Sequence, residues 1–296
     1  MTLTCTAQRS GKLLSFLRRE LRLSSGLVGR LKWQNCFFVD GQPAHTDHCV
    51  QPGQRIEVLL REKTETPFVP EYTPLHILYE DDALLAVDKP AGVIVHPTFH
   101  RSEGTLLTQL LGYYEKTAQS CAVHAVNRLD RDTIGIVLFA KNAHIHSLCC
   151  RAQLAGQFFK TYHAVCLGRP PADEGVCELP VGRVDGGSLL RRIDENGAAA
   201  RTEYRLLRFD GTFGLLELHP VTGRTHQLRL HCLALGCPIL GDPQYATPDS
   251  RAAARMLGLS AQQLAAVRLT LPHPVSGIPL EISADQDVFL PKTVEK

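Results

Sequence analysis

Residues 127–142, NRLDRDTIGIVLFAKN, join a knot of charge to an uninterrupted apolar run. No other stretch constrains the fold as much. Gly135 to Ala140 show no polar alternation, so they read as a central strand covered on both faces. Immediately before them stand Arg128, Asp130, Arg131 and Asp132. Either these side chains pair with one another in a polar turn, or one carboxylate is held ionised at the sheet edge for chemistry. The stretch alone leaves both readings open.

The sequence after residue 76 alternates short apolar segments with turns. Strands are predicted over 83–90 and 92–97, around the Lys89-Pro90-Ala91-Gly92 turn, and over 161–167, 202–209 and 213–220. A helix is predicted over about 142–157, where Ile145, Leu148, Cys149, Ala152 and Ala155 recur at helical spacing and Cys149 and Cys150 read as core thiols. A second helix is expected in HPVTGRTHQLRLHCLALG, residues 219–236, capped by Thr225 and closed by Gly236. On it Arg229 shares a face with Thr225 and His226 near the N-terminal end. A cation there opposes the helix dipole unless an anion meets both. The alternative is that Arg224 and Arg229 make unrelated surface pairs. His226 and His231 read as a helix hydrogen-bonder and a core imidazole, and Asp242 of GDPQY as a turn residue. The fold class expected is α+β, with a mixed, mostly antiparallel sheet.

Residues 12–60 read as a separate unit. Two short helices, the second capped by Ser24 or Ser25, precede a hairpin turning at Asp40-Gly41 and a closing strand in QPGQRIEVLL. Residues 1–61 carry nine Lys and Arg against four Asp and Glu, net +5, whereas the remainder carries 23 against 26, net −3. A basic head on a slightly acidic body suits a polyanionic partner, although solvated helix faces would look the same. EKTETPFVPEY has no apolar period and reads as a linker. The expected division is 1–62, a linker over 63–73, and 74–296.

No run approaches the roughly 18 apolar residues of a membrane helix. No secretory signal opens the chain, and ten cysteines without a C-x-x-C pair read as reduced thiols, so the cytoplasm is the default compartment. Dinucleotide, nucleotide-loop and zinc-protease signatures are absent. HTDHC, with His45, His48 and Cys49, has loosely metal-like spacing but reads as a solvated loop. A reaction here is expected to need neither redox carrier nor metal, and a metal-dependent nuclease lacks its cluster of acids and histidines.

The paired helices, the V-D-G hairpin and P-G-x-x-I-E-V resemble the S4-type RNA-binding module. That resemblance implies an RNA-backbone surface formed by Arg18, Arg19, Arg22, Arg30 and Lys32. NRLDRDTIGIVLFAK, KTYHAVCLG, TGRTHQLRLH and CPILGDPQY, in that order, resemble the motifs of RluA-type pseudouridine synthases, in which an S4-like head is common. The resemblance implies the pseudouridine synthase fold and isomerisation of uridines in structured RNA, rRNA or tRNA, with no cofactor, membrane or small-molecule partner, by a monomer. It implies Asp130 as the catalytic aspartate, Arg229 as its partner, and Tyr162 against the target base. Arg128 is implied to hold the flipped-out nucleotide's place and Leu230 to lie by the base, while Arg224 belongs to the same RNA-facing set. Three positions depart from the family pattern. Asn127 stands where His is usual, Ile134 where a small residue is usual, and Ala265 where His is common. These leave a second reading, an RNA-binding or assembly protein that kept the fold and lost turnover. Neither the target uridine nor a covalent as against a glycal-type course can be read from residues alone.

Overall fold

A four-stranded and a ten-stranded β-sheet, each with its own apolar core, divide the computed structural model, which describes residues 1–61, 66–98, 102–184, 189–285 and 287–288; two-stranded pairings of 11–12 with 49–50 and of 181–183 with 191–193 stand beside them. In the head, β1 (Thr2–Thr6), β2 (Gly11–Lys12), α1 (Leu13–Arg19) and α2 (Ser25–Lys32) precede β3 (Phe37–Val39), β4 (Gln42–Pro43), β5 (Cys49–Val50) and β6 (Arg55–Leu59). The four-stranded order is β1-β6-β3-β4. Ser24 caps α2 by accepting from the Leu27 N–H. Asp40 and Gly41 both take positive φ, 50° and 77°, the geometry a two-residue hairpin turn needs. Leu13, Phe16 and Leu17 of α1 and Val28 and Leu31 of α2 bury against Phe37, Ile56 and Val58. Truncating any one of these leucines to Ala costs about 2–5 kcal/mol. Strand β1 was not expected, because TLTCT carries too little apolar signal to announce itself.

The body adds β7 (Ile77–Glu80), β8 (Leu84–Lys89), α3 (Leu106–Lys116), β9 (His124–Ala125), β10 (Ile134–Ala140), α4 (Ala143–Leu154), β11 (Phe159–Leu167), β12 (Glu174–Cys177), β13 (Val181–Arg183) and β14 (Arg191–Ile193). It ends with β15 (Thr202–Phe209), β16 (Phe213–Pro220), α5 (Gln227–Ala234), α6 (Pro248–Met256), β17 (Leu264–Pro272) and β18 (Pro279–Ser283). The large sheet runs β12-β15-β16-β11-β17-β10-β8-β7, with β18 beside β17 and β9 beside β10. Every named pairing in it is antiparallel except the short parallel contact of β10 with β17. The sheet is therefore mixed and mostly antiparallel, as expected.

The apolar run earns its burial. Val137 and Phe139 face a core shared with α3 and α5, while Ile136 and Leu138 face one shared with Ile145 and Leu148 of α4. Gly135 opens the strand at φ 103°, and a Cβ there would lie 2.2 Å from the Ala266 carbonyl oxygen. Only glycine permits β10 and β17 to approach this closely.

Several expectations change. Residues 92–97 form no strand; only Ile94 bridges, to Thr105. The buried Lys89 ammonium takes the Pro90 and Val93 carbonyls, and Gly92 at φ 83° turns the chain. Cys149 is a core thiol, whereas Cys150 is half-buried. Thr225 does not cap α5: His226 does, at φ 61° without a side-chain cap bond, while Gly236 closes the helix at φ 76°. The 62/63 boundary and the linker's first residues lie outside the described part. The linker's end docks on α3, where the Glu71 N–H donates to the Thr108 carbonyl and its carboxylate accepts from the Gly104 N–H.

Candidate active site

The loop before β10 splits its four charges two ways. Arg131 and Asp132 pair with each other through contacts of 3.0 and 2.9 Å. Asp130 and Arg128 instead line a cavity of about 220 Å³. The polar-turn reading therefore holds for Arg131 and Asp132, while Arg128 and Asp130 face the cavity. The loop is held from below, because Lys89 Nζ donates to the Arg131 carbonyl at 2.7 Å. Burial draws the Lys89 pKa down to about 8, with the charges of Asp132 and Asp130 working against that shift.

Arg229, in the first turn of α5, crosses the floor. Its side chain is 4% exposed and bridges two carboxylates. Nη1 donates to Asp130 Oδ2 at 3.2 Å, whereas Nε and Nη2 form a fork on Asp242 at 2.6 and 2.7 Å. A planar guanidinium offers five donors, which lets one arginine serve both acids. The expected Asp130–Arg229 contact exists, but the closer partner is Asp242. That residue is indeed a turn residue, since Oδ1 also accepts the Gln244 and Tyr245 N–H groups. Burial works to raise its pKa, yet the Arg229 guanidinium and these N–H donors bring it below the ordinary value.

Tyr162 comes from β11 and lines the same cavity. Burial and the nearby Asp130 push its pKa up, so the phenol keeps its proton. His226 Nε2 lies 3.9 Å from Asp130 Oδ2, and its Nδ1 is 2.7 Å from the Tyr245 hydroxyl. That hydroxyl also accepts the Arg191 N–H, which fixes the tyrosine beside the imidazole. Burial lowers the His226 pKa ahead of the opposing Asp130 charge. His231 lies in the core between Thr202 Oγ1 and the Leu179 carbonyl, as expected.

Arg128 and Arg224 are exposed and line the cavity, Arg224 donating to the Ala199 carbonyl. Leu230 does not reach it. It is buried with Val181, Ala200 and Tyr245, and the apolar lining comes from Val126, Leu129, Pro220, Leu228 and Leu264. On a helix, residues 228 and 230 point to different sides. Arg18, Arg19, Arg22, Arg30 and Lys32 are all exposed on the head.

Three residues were missed as site residues. Asp242 holds Arg229. Gln227 is buried and ties Thr222, the Arg224 N–H and the Arg201 carbonyl together, fixing the loop over the cavity. Lys160, two residues before Tyr162, also lines the cavity, and burial lowers its pKa. A lysine on the same strand face as Tyr162 was the available signal.

The departures prove local. Asn127 Nδ2 donates to the Ile136 carbonyl and its Oδ1 accepts the Leu138 N–H, so the amide extends the sheet. Ile134 and Ala265 are register partners in one apolar cluster, a large residue opposite a small one, and neither lines the cavity. Among the described residues no group of three His, Cys, Asp or Glu is placed to hold a metal, and no helix is long and apolar enough to cross a membrane.

Comparison with known proteins identifies the family. The RNA pseudouridylate synthase family model matches residues 83–234. Ribosomal large subunit pseudouridine synthase D of Nitrosomonas europaea is 37% identical over 247 residues, 82% of this chain and 72% of that protein. An uncharacterized RNA pseudouridine synthase of Chloroflexus aurantiacus is 37% identical over 276 residues, 93% and 85% of the two chains. The structure of human RNA pseudouridylate synthase domain containing 4 superposes with a TM-score of 0.57 at 26% identity, covering 70% of this chain and 87% of that one. Family match and extended identity together make this chain a member of the RNA pseudouridylate synthases, isomerases that act on RNA.

Proposed function

We propose that Asp130 carries out the isomerisation, with Arg229 orienting its carboxylate and Tyr162 meeting the target base. The observation that carries this reading is their convergence on one cavity: Arg229 Nη1 lies 3.2 Å from Asp130 Oδ2, and Tyr162 lines the same space. The reaction breaks the uridine C1′–N1 bond, forms C1′–C5 and moves the C5 proton to N1, so no atom is gained or lost. A stacked uridine is out of reach, so the nucleotide is extruded first and Arg128 at the rim holds its place. The cavity of about 220 Å³ offers space for an extruded base.

Asp130 needs an ionised oxygen facing the sugar. Its side chain is 23% exposed and open to the cavity, while Asp242 keeps Arg229 from swinging away. Tyr162 offers a protonated phenol and an aromatic face. RNA tritiated at uridine C5 reports turnover, because C5 loses its hydrogen when it bonds to the sugar. Wild-type protein releases the label and Asp130→Asn does not; release by Asp130→Asn at the wild-type rate refutes the assignment. The reading of a binding protein without turnover predicts tight RNA binding and no release by the wild type.

Large-subunit ribosomal RNA is the proposed substrate, because relatives at 37% and 33% identity bear that RNA in their names. Loss of one pseudouridine from that RNA on deleting the gene tests it. Residues 1–62 are read as an S4-like RNA-binding unit, 63–73 as a linker and 74–296 as the catalytic unit of a cytoplasmic monomer. The exposed cations of the head support that division. Removing residues 1–61 then weakens RNA binding and flattens its salt dependence. An unchanged salt slope counts against it.

A further inference from the structure

A second concavity of about 280 Å³ lies where the head meets the body. Ser24, Gly26 and Arg30 line it from the head, and His144, Ser147 and Arg151 from the body. No acidic residue lines it, and neither arginine makes an ion pair among the described residues. On α4, His144, Ser147 and Arg151 follow at helical spacing on one face, and on α2 Gly26 and Arg30 are one turn apart. Two exposed cations from different units thus line one concavity with no acid among its lining residues, and Arg151 Nη1 donates to the Arg22 carbonyl of the head at 3.5 Å.

The inner wall adds an independent observation. His144 is 6% exposed, and its Nε2 has no hydrogen-bond partner. Burial, then the Arg151 charge, draws its pKa down to about 4, so the ring is neutral. An unpaired buried ring nitrogen is a polar atom left for a hydroxyl. The first turns of α2 and α4 also open here and add partial positive charge. Met1 packs against the cores of both head and body, which keeps the two sides of the seam together.

We propose that this seam is a second RNA-backbone site, in which Arg30 and Arg151 grip one phosphodiester and the adjoining ribose lies over His144. The proposal rests on the reading of the head as RNA-binding and goes beyond it, because it gives α4 of the catalytic unit a share in the contact. RNA crossing the seam would bind head and body at once.

Filter binding of the full chain to a large-subunit ribosomal RNA fragment, across a KCl series, tests it. Arg151→Ala should weaken binding by about fivefold and reduce the log–log salt slope by about 0.7–0.9, the loss of one phosphate contact. Arg151→Lys should recover most of the slope, since charge is the agent. If both arginines hold the same phosphate, Arg30→Ala combined with Arg151→Ala loses less than the sum of the single losses. Wild-type affinity and slope for Arg151→Ala overturn the proposal. Should Arg18→Ala with Arg19→Ala lower the slope in that case, the head reading survives alone; should it not, both fail. Equal melting temperatures exclude misfolding as the cause, since Arg151 is exposed.

Discussion

Arginines of the head and of the cavity do opposite work. Arg18, Arg19, Arg22 and Arg30 are exposed and make no ion pair among the described residues. Arg229 is buried and bridges two carboxylates. An exposed cation gains little from a neighbouring acid, but it can displace counterions from a polyanion. A buried one must be paired, and the pairing fixes geometry more than it adds stability. On the proposed function, the head's charge would bear on affinity and salt dependence, and Arg229 on the placement of the Asp130 carboxylate.

The comparison breaks most readily at Arg229 itself. Arg229→Met leaves Asp242 buried without its cation, so unfolding by urea should show a loss of about 3–5 kcal/mol. C5-tritium release should fall by more than about a thousandfold in the same variant. Stability near wild type would mean that Asp242 and Arg229 are not a buried pair.

Next in size, the two carboxylates on Arg229 should separate. Asp130→Asn should abolish label release yet cost less than about 1 kcal/mol, because that side chain is partly exposed and makes one contact with Arg229. Asp242→Asn should cost about 2–4 kcal/mol, because it breaks the buried fork. Equal destabilisation by the two variants would erase the division between a working and a holding carboxylate.

Acid sharpens the same point. The folded pKa of Asp242 lies below the ordinary carboxylate value of about 3.9. Its contribution is therefore complete above that value and is lost as pH falls through the folded one. Melting temperatures should stay level from pH 7 to about 5 and drop below about 4, and Asp242→Asn should lack that part of the drop. The same acid slope in both proteins would assign the effect to other carboxylates.

The smallest effects belong to the head. Arg18→Ala or Arg19→Ala should change stability by no more than about 0.5 kcal/mol. Each arginine that meets a phosphate should lower the salt slope by about 0.7–0.9. A change in melting temperature without a change in slope would make them structural after all.

Much of the frame was legible along the chain. Strands over 202–209 and 213–220 fall where their apolar patterns put them, and Asp40-Gly41 makes its hairpin. Asp130, Tyr162 and Arg229 were legible as a set through the resemblance of several ordered motifs. The short elements were not. Helix α3 starts at a Thr105–Thr108 capping box that was not recognised in the sequence. Residues 92–97 looked like a strand because nothing local reveals that Lys89 takes the carbonyls a ladder would need. Leu230 looked like a residue beside the base, yet α5 turns it toward Val181 and Ala200.

By itself, the order of residues determined which segments could be buried, where the chain must turn and which side chains carry charge, because these follow from local hydrophobic pattern and backbone preference. Only the tertiary structure decided that one guanidinium serves two carboxylates, one 13 and the other 99 residues away. Sheet pairing and helix docking set that meeting, and local periodicity carries no record of contacts between segments so far apart.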